Sequence, residues 1–183
     1  MNDDCYDPRS IANLLLDEAR DCGIEVTNLA LQKLLYFAHG IHLNATAKPL
    51  ISGYFEAWQY GPVHPAVYRA FKDAGSDPIT FRAERRDVLT GETTPIPRPS
   101  NPLLIRLIRQ VLTSYGQLSP GRLVDISHAK GSPWHYIVEK GRTGIAFGLR
   151  IPDDVILARF KHHKVTIGVV PNAGEPTQDT PFT

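Results

Sequence analysis

Apolar and polar positions alternate along this chain with a helical period over most of its length. Asp7-Pro8 places a capping side chain before a proline suited to a first helical turn, and Ile11, Leu14, Leu15, Ala19 and Cys22 recur at helical spacing until Gly23. Thr27 then caps a second helix with an apolar stripe of Leu31, Leu34, Leu35, Ala38 and Ile41. Gln32, Lys33, Tyr36 and His39 lie off that stripe, and the helix is expected to end at about His42. Pro49 interrupts the pattern. Ile51 to Tyr60 is rich in aromatic and β-favouring residues and reads as a short extended segment. Gly61-Pro62 makes a turn, after which Val63, Ala66, Val67, Ala70 and Phe71 give a third helix ending near Gly75.

The prolines and charges between Ser76 and Ser100, with a turn signal at Thr90-Gly91, predict a loop or an edge hairpin. Leu104, Leu107, Ile108, Val111, Leu112 and Tyr115 form the clearest helical stripe, stopped by Gly116. Ser119-Pro120 and Ser132-Pro133 each start a further short helix. Pro152-Asp153-Asp154 opens the last one with acids at the positive end of the helix dipole, and Lys161 to Lys164 close it. From Pro171 the chain is Pro, Gly, Thr and Asp rich, the composition of a disordered tail. The fold class is therefore mainly α: a single compact helical domain over residues 1–170, with a small extended or β insert between helices two and three, and a disordered tail over 171–183.

Composition narrows the function. The 183 residues carry 20 basic and 19 acidic side chains, so no global field draws the chain to nucleic acid or an anionic membrane. No apolar run resembles a signal peptide or a membrane span, which places the protein in the cytoplasm. Cys5, in a mobile N-terminus, and Cys22, near a helix end, are expected as free thiols.

The candidate chemistry is sparse. Of the seven histidines only His39 and His42 have the helical spacing of a metal pair, and solvated or capping roles are preferred for all seven. Neither cysteine sits beside a histidine that could activate it, and phosphate loops and Gly-x-Ser-x-Gly elbows are missing, so no catalytic residue, metal or cofactor is assigned. The helices flanking Gly116-Gln117-Leu118-Ser119 have helix-turn-helix spacing, but the second offers only Arg122 and Lys130 as cations and carries Asp125. Binding to a protein partner is better supported. Trp58, Tyr60, His64, Tyr68 and Trp134 are of types enriched at interface hot spots, with the two tryptophans read as core anchors. The block from Tyr60 through Gly61, Pro62 and Val63 to His64 is either a rigid surface turn or part of the core.

Three separated blocks resemble a known family. They are Leu31-Gln32-Lys33-Leu34-Leu35-Tyr36-Phe37-Ala38-His39; Glu56-Ala57-Trp58-Gln59-Tyr60-Gly61-Pro62-Val63 with Val67, Tyr68 and Phe71; and Leu118-Ser119 with Leu123, Ser127-His128 and Pro133-Trp134. In this order they are similar to the Panacea domain of bacterial and phage antitoxins, which includes SocA-like and GepA-like proteins. Ile51-Ser52-Gly53 and Arg122 depart from the pattern. The resemblance implies a non-enzymatic antitoxin of a type II-like system that neutralises a cognate protein toxin by direct binding. Candidate partner-binding residues are Trp58, Tyr60, Gly61, Pro62, Val63, His64 and Tyr68, with the Ser76–Ser100 loop as a second contact region. A homo-oligomer is compatible with this reading. The alternatives are a DNA-binding regulator using the helix pair around Gly116, and a protease adaptor using the tail after Pro171.

Overall fold

The structure, a computed structural model, describes residues 5–141 and 149–163. Among these, seven α-helices pack with a small three-stranded antiparallel sheet and a separate two-stranded ribbon, so the protein is mainly α. The helices are α1 (Pro8–Asp21), α2 (Asn28–Thr46), α3 (Pro65–Phe71), α4 (Pro102–Tyr115), α5 (Pro120–Ser127), α6 (Pro133–Gly141) and α7 (Asp153–Arg159). Five of them begin with proline, whose fixed φ suits a first turn and whose missing N–H has no helical partner to lose there. The preceding residue often adds a cap: Asp7, Asn101 and Ser119 accept hydrogen bonds from the backbone N–H of Arg9, Leu103 and Arg122.

α2 is the axis of the fold. It touches α1, α3, α4, α5 and α7, and every residue from Asn28 to Gly40 is buried. The polar positions expected to lie off an apolar stripe are thus inside: Gln32, Lys33 and Tyr36 are fully buried, and His39 almost so. The helix is surrounded on all sides, so an outward polar face has no solvent to meet, and these residues are paired within the protein. α2 also runs a turn beyond His42, to Thr46, and ends on Ala47 in the left-handed conformation.

Between α2 and α3 the chain makes strands β1 (Phe55–Trp58) and β2 (Gly61–Val63), joined by Gln59 and Tyr60. β5 (Arg150–Ile151) adds to the far edge of β1, giving the order β2-β1-β5. This third strand comes from nearly 100 residues downstream, and nothing local in so short a segment signals it. Phe55 fixes the sheet on α2: its ring meets Tyr36 edge-on at 5.3 Å, His39 at 5.4 Å and His64 at 5.5 Å.

The segment after α3 forms a separate two-stranded ribbon, β3 (Glu84–Arg86) and β4 (Thr93–Pro95). Its base is tied to α1. Asn13 donates to the carbonyl of Ala83 at 2.9 Å and accepts from the Ala83 N–H at 2.8 Å, both buried. Asp17 pairs with Arg82, while the buried Glu18 carboxylate is held by Arg98 and Arg109, each at 2.6 Å.

Two further expectations change. Cys5 is a free, half-buried thiol in an ordered segment, because the Tyr6 N–H donates to the Leu50 carbonyl at 2.9 Å and Ser52 N–H to Tyr6. The last helix stops at Arg159 and continues as a 3-10 turn from Phe160 to His162, since the Phe160 ring packs beside Gly40 and His163 beside Tyr36. Lys164 and the expected disordered tail over 171–183 lie outside the described residues.

Candidate partner-binding surface

The turn between β1 and β2 is built over buried polar chemistry. Trp58 pairs with Gly61, so the two-residue loop closes tightly and Gly61 takes φ of 101°, a conformation that a side chain resists. There is also no room for one. A Cβ at Gly61 would lie 2.5 Å from Ser127 Oγ and 2.8 Å from Lys33 Cε.

Lys33 comes up from α2 beneath this turn and donates its ammonium to the Pro62 carbonyl at 3.2 Å. Gln32, its neighbour, accepts from the His64 N–H at 3.0 Å and donates to Asn28 at 3.1 Å. Adjacent α2 residues therefore satisfy the backbone on both sides of Val63, which is itself fully buried. The ammonium also lies near the carboxyl end of α5, where Ser127 donates to the Val124 carbonyl at 2.8 Å.

An aromatic wall flanks the turn. Trp58 donates its indole N–H to Glu56 at 2.7 Å, and Trp134 donates to the Trp58 carbonyl at 2.8 Å. Tyr68 meets the Trp58 ring edge-on at 4.8 Å, and His128 stacks on Trp134 at 3.6 Å. Burial, with the Lys33 and His135 charges nearby, pushes the His128 pKa down to about 3. Its imidazole is neutral beside the Lys33 ammonium.

The family model for antitoxin SocA-like, Panacea domain, matches residues 31–135. Antitoxin SocA of Caulobacter vibrioides (strain NA1000 / CB15N) is 45% identical over 175 residues, covering 96% of this chain and 93% of the relative. The chain belongs to the SocA-like Panacea antitoxin family. Among solved structures, none matches it.

Within this Panacea domain the named turn residues divide by depth. Trp58, Gly61, Pro62, Val63 and His64 are buried, while Tyr60 and Tyr68 are half-exposed. The buried five shape the surface from below, and the tyrosines are the members of the set that reach solvent. His64 donates through Nε2 to the Ser52 carbonyl at 3.0 Å, and burial lowers its pKa. Sequence reasoning left Gln32, Lys33 and Ser127 outside the site. The available signal was the Gln-Lys pair inside an otherwise apolar helix.

Of the remaining histidines His39 is buried, where a solvated or capping role was expected, and His42, His135, His162 and His163 are half-buried. His39 donates to Asp153 at 3.0 Å, and His163 packs against Tyr36 and Phe37. His39 and His42 do not converge on a common ligand set: no group of three or more His, Cys, Asp or Glu among the described residues could hold a metal. α5, the second member of the helix pair around Gly116, packs Leu123, Val124, Ile126 and Ser127 into the core, and the Arg122 side chain is 14% exposed beside Asp125. That helix has little free basic surface to offer a phosphate backbone. No described helix is long and apolar enough to cross a membrane.

Proposed function

We propose that this protein neutralises a cognate protein toxin by binding it directly, and that it acts as a binding module with no catalytic step of its own. The observation that carries this reading is the 45% identity to Antitoxin SocA over 96% of the chain. The structure supports a role for the turn that launches α3. A buried lysine and glutamine hold its backbone, so Tyr60 and Tyr68 are presented on a preorganised support and lose little further freedom on binding. Tyrosine suits this use because it covers a large area with two rotors and keeps a polar tip.

Co-expression with the toxin encoded beside it tests the proposal. Growth should be restored and the two proteins should co-purify. Undiminished toxicity in the presence of folded, soluble antitoxin overturns it; restored growth without a complex overturns direct binding.

A further inference from the structure

Residues 149–163 are held against the other elements by few apolar anchors. Ile151 and Ile156 are buried and the other side chains of the segment are half-buried or exposed, whereas every residue of α2 from Asn28 to Gly40 is buried. β5 adds two residue pairs to the edge of β1, Phe55 with Ile151 and Glu56 with Arg150, and the Ala57 N–H donates to the Leu149 carbonyl at 2.7 Å. Further along, the Phe160 ring sits in a notch over Gly40 that leaves no room for a methyl group. Arg150 and Arg159 lie over the rings of Tyr54 and Tyr136, each at 3.9 Å, in contacts near solvent that add little. A segment so lightly anchored opens at lower cost than the helical core behind it.

Its side-chain hydrogen bonds to α2 run through histidine. His39 donates through Nε2 to Asp153 at 3.0 Å, a tie whose carboxylate is 44% exposed and screened by water. His163 donates through Nδ1 to the Phe160 carbonyl at 2.9 Å, which leaves Nε2 facing the Tyr36 hydroxyl at 3.5 Å. Its ring is walled by Tyr36, Phe37 and Phe160, with centroids 5.5, 5.8 and 4.8 Å away. The titratable groups facing it are the Tyr36 hydroxyl, which burial keeps neutral, and His162 on the same turn, whose charge opposes a second one beside it. Neither offers a carboxylate to a protonated ring. Burial, with the His162 charge, pushes the His163 pKa down to about 4 against the pull of the bond to Phe160. Docked, this imidazole is neutral; released into water it titrates near its ordinary 6.5.

We propose that residues 149–163 form an acid-released strap, which opens as a unit while the helical core stays folded. Release frees the backbone edge of β1 from Phe55 to Ala57 and uncovers the Gly40 notch with Tyr36 and Phe37 beside it. The covered residues lie within the stretch 31–135 that matches the Panacea domain, and the strap lies outside it. The strap thus governs access to one face of the domain. Below pH 6.5 the released form binds a proton that the docked form refuses, so docking is at full strength above that pH and weakens as pH falls towards 4. Opening needs no toxin, and it stands or falls independently of the proposed neutralising activity.

Hydrogen exchange on the full chain tests it, read as protection factors so that the intrinsic pH dependence of exchange cancels. The reporters are the Ala57 N–H, bonded to Leu149, and the Ile156 N–H, bonded to the Pro152 carbonyl, with amides of α2 and α4 reporting global unfolding. At pH 7 both reporters should be less protected than α2 and α4. Between pH 7 and pH 5 both should lose roughly twentyfold, the ratio set by pKa values of 6.5 released and about 4 docked. His163→Phe keeps a ring in the aromatic seat and should flatten this dependence at both reporters. Phe160→Ala empties the Gly40 notch and should cost the reporters roughly tenfold or more at pH 7, with α4 protection unchanged. Reporters as well protected as α4 at both pH values overturn the proposal, as does equal reporter protection at pH 7 and pH 5. A pH dependence that survives His163→Phe overturns it too, as does a Phe160→Ala effect that is absent or spread evenly over the molecule.

Discussion

Gly61 is the residue where the site's backbone, packing and polar chemistry meet. Its positive φ and the 2.5 Å approach of Ser127 Oγ leave no space for a methyl group. Gly61→Ala is therefore expected to destabilise by about 2–4 kcal/mol, combining backbone strain with overpacking, and chemical denaturation should show it as a lower midpoint. His128 gives a second residue-scale prediction. Its folded pKa is about 3 and that of His163 about 4, against an ordinary 6.5, while burial lowers His42 and His64 in the same direction. The unfolded chain takes up protons as pH falls through 6.5 and the folded protein does not. Their contribution to stability is complete above pH 6.5 and is lost as pH falls from there towards the folded values. The window from pH 7 to 5 lies above the carboxylate range and isolates the effect. His128→Phe preserves the stacking on Trp134 and removes a buried Nε2 that has no hydrogen-bond partner among the described residues. In that window it should reduce the slope of stability against pH by roughly half a proton at pH 6.5, approaching one proton, about 1.4 kcal/mol per pH unit, near pH 5. An unchanged slope would place His128 in water.

At the scale of elements, prolines and short polar caps set where helices start, and this was legible because the signal is local. The Ser119-Pro120 and Ser132-Pro133 dipeptides each precede a helix, and Asp7-Pro8 does the same. The polarity of α2 was not legible, because Lys33 and Gln32 look like solvent-facing residues until the elements around the helix are known. Their partners, Pro62 and His64, are about 30 residues away in the chain. The attachment of the ribbon depends on one amide in the same long-range way. Asn13→Ala would strip both hydrogen bonds from Ala83 and is expected to cost about 2–4 kcal/mol. Hydrogen exchange should then show the Ala83 N–H losing protection while α5 and α6 keep theirs. Equal loss throughout the molecule would mean that the ribbon and the helical core open as one unit.

For the whole molecule, stability and recognition are expected to separate by depth. Phe55 anchors the sheet on α2 through contacts with Tyr36, His39 and His64, so Phe55→Ala should cost about 3–5 kcal/mol. Tyr60→Ala should leave the melting temperature nearly unchanged and reduce toxin co-purification by tenfold or more, roughly the effect of truncating a hot-spot tyrosine. Loss of folding in both variants, or full binding by the tyrosine variant, would remove the turn from the interface. By itself the sequence determined the helical class, the proline-led helix starts, the family blocks and the identity of the turn, because these follow from neighbouring residues and from helical periodicity. Tertiary structure decided that α2 is enclosed, that Trp58 to His64 is mostly interior with two tyrosines reaching solvent, and that β5 completes the sheet. Those features join residues far apart in the chain, and which side chain faces water is a property of all the elements packed together.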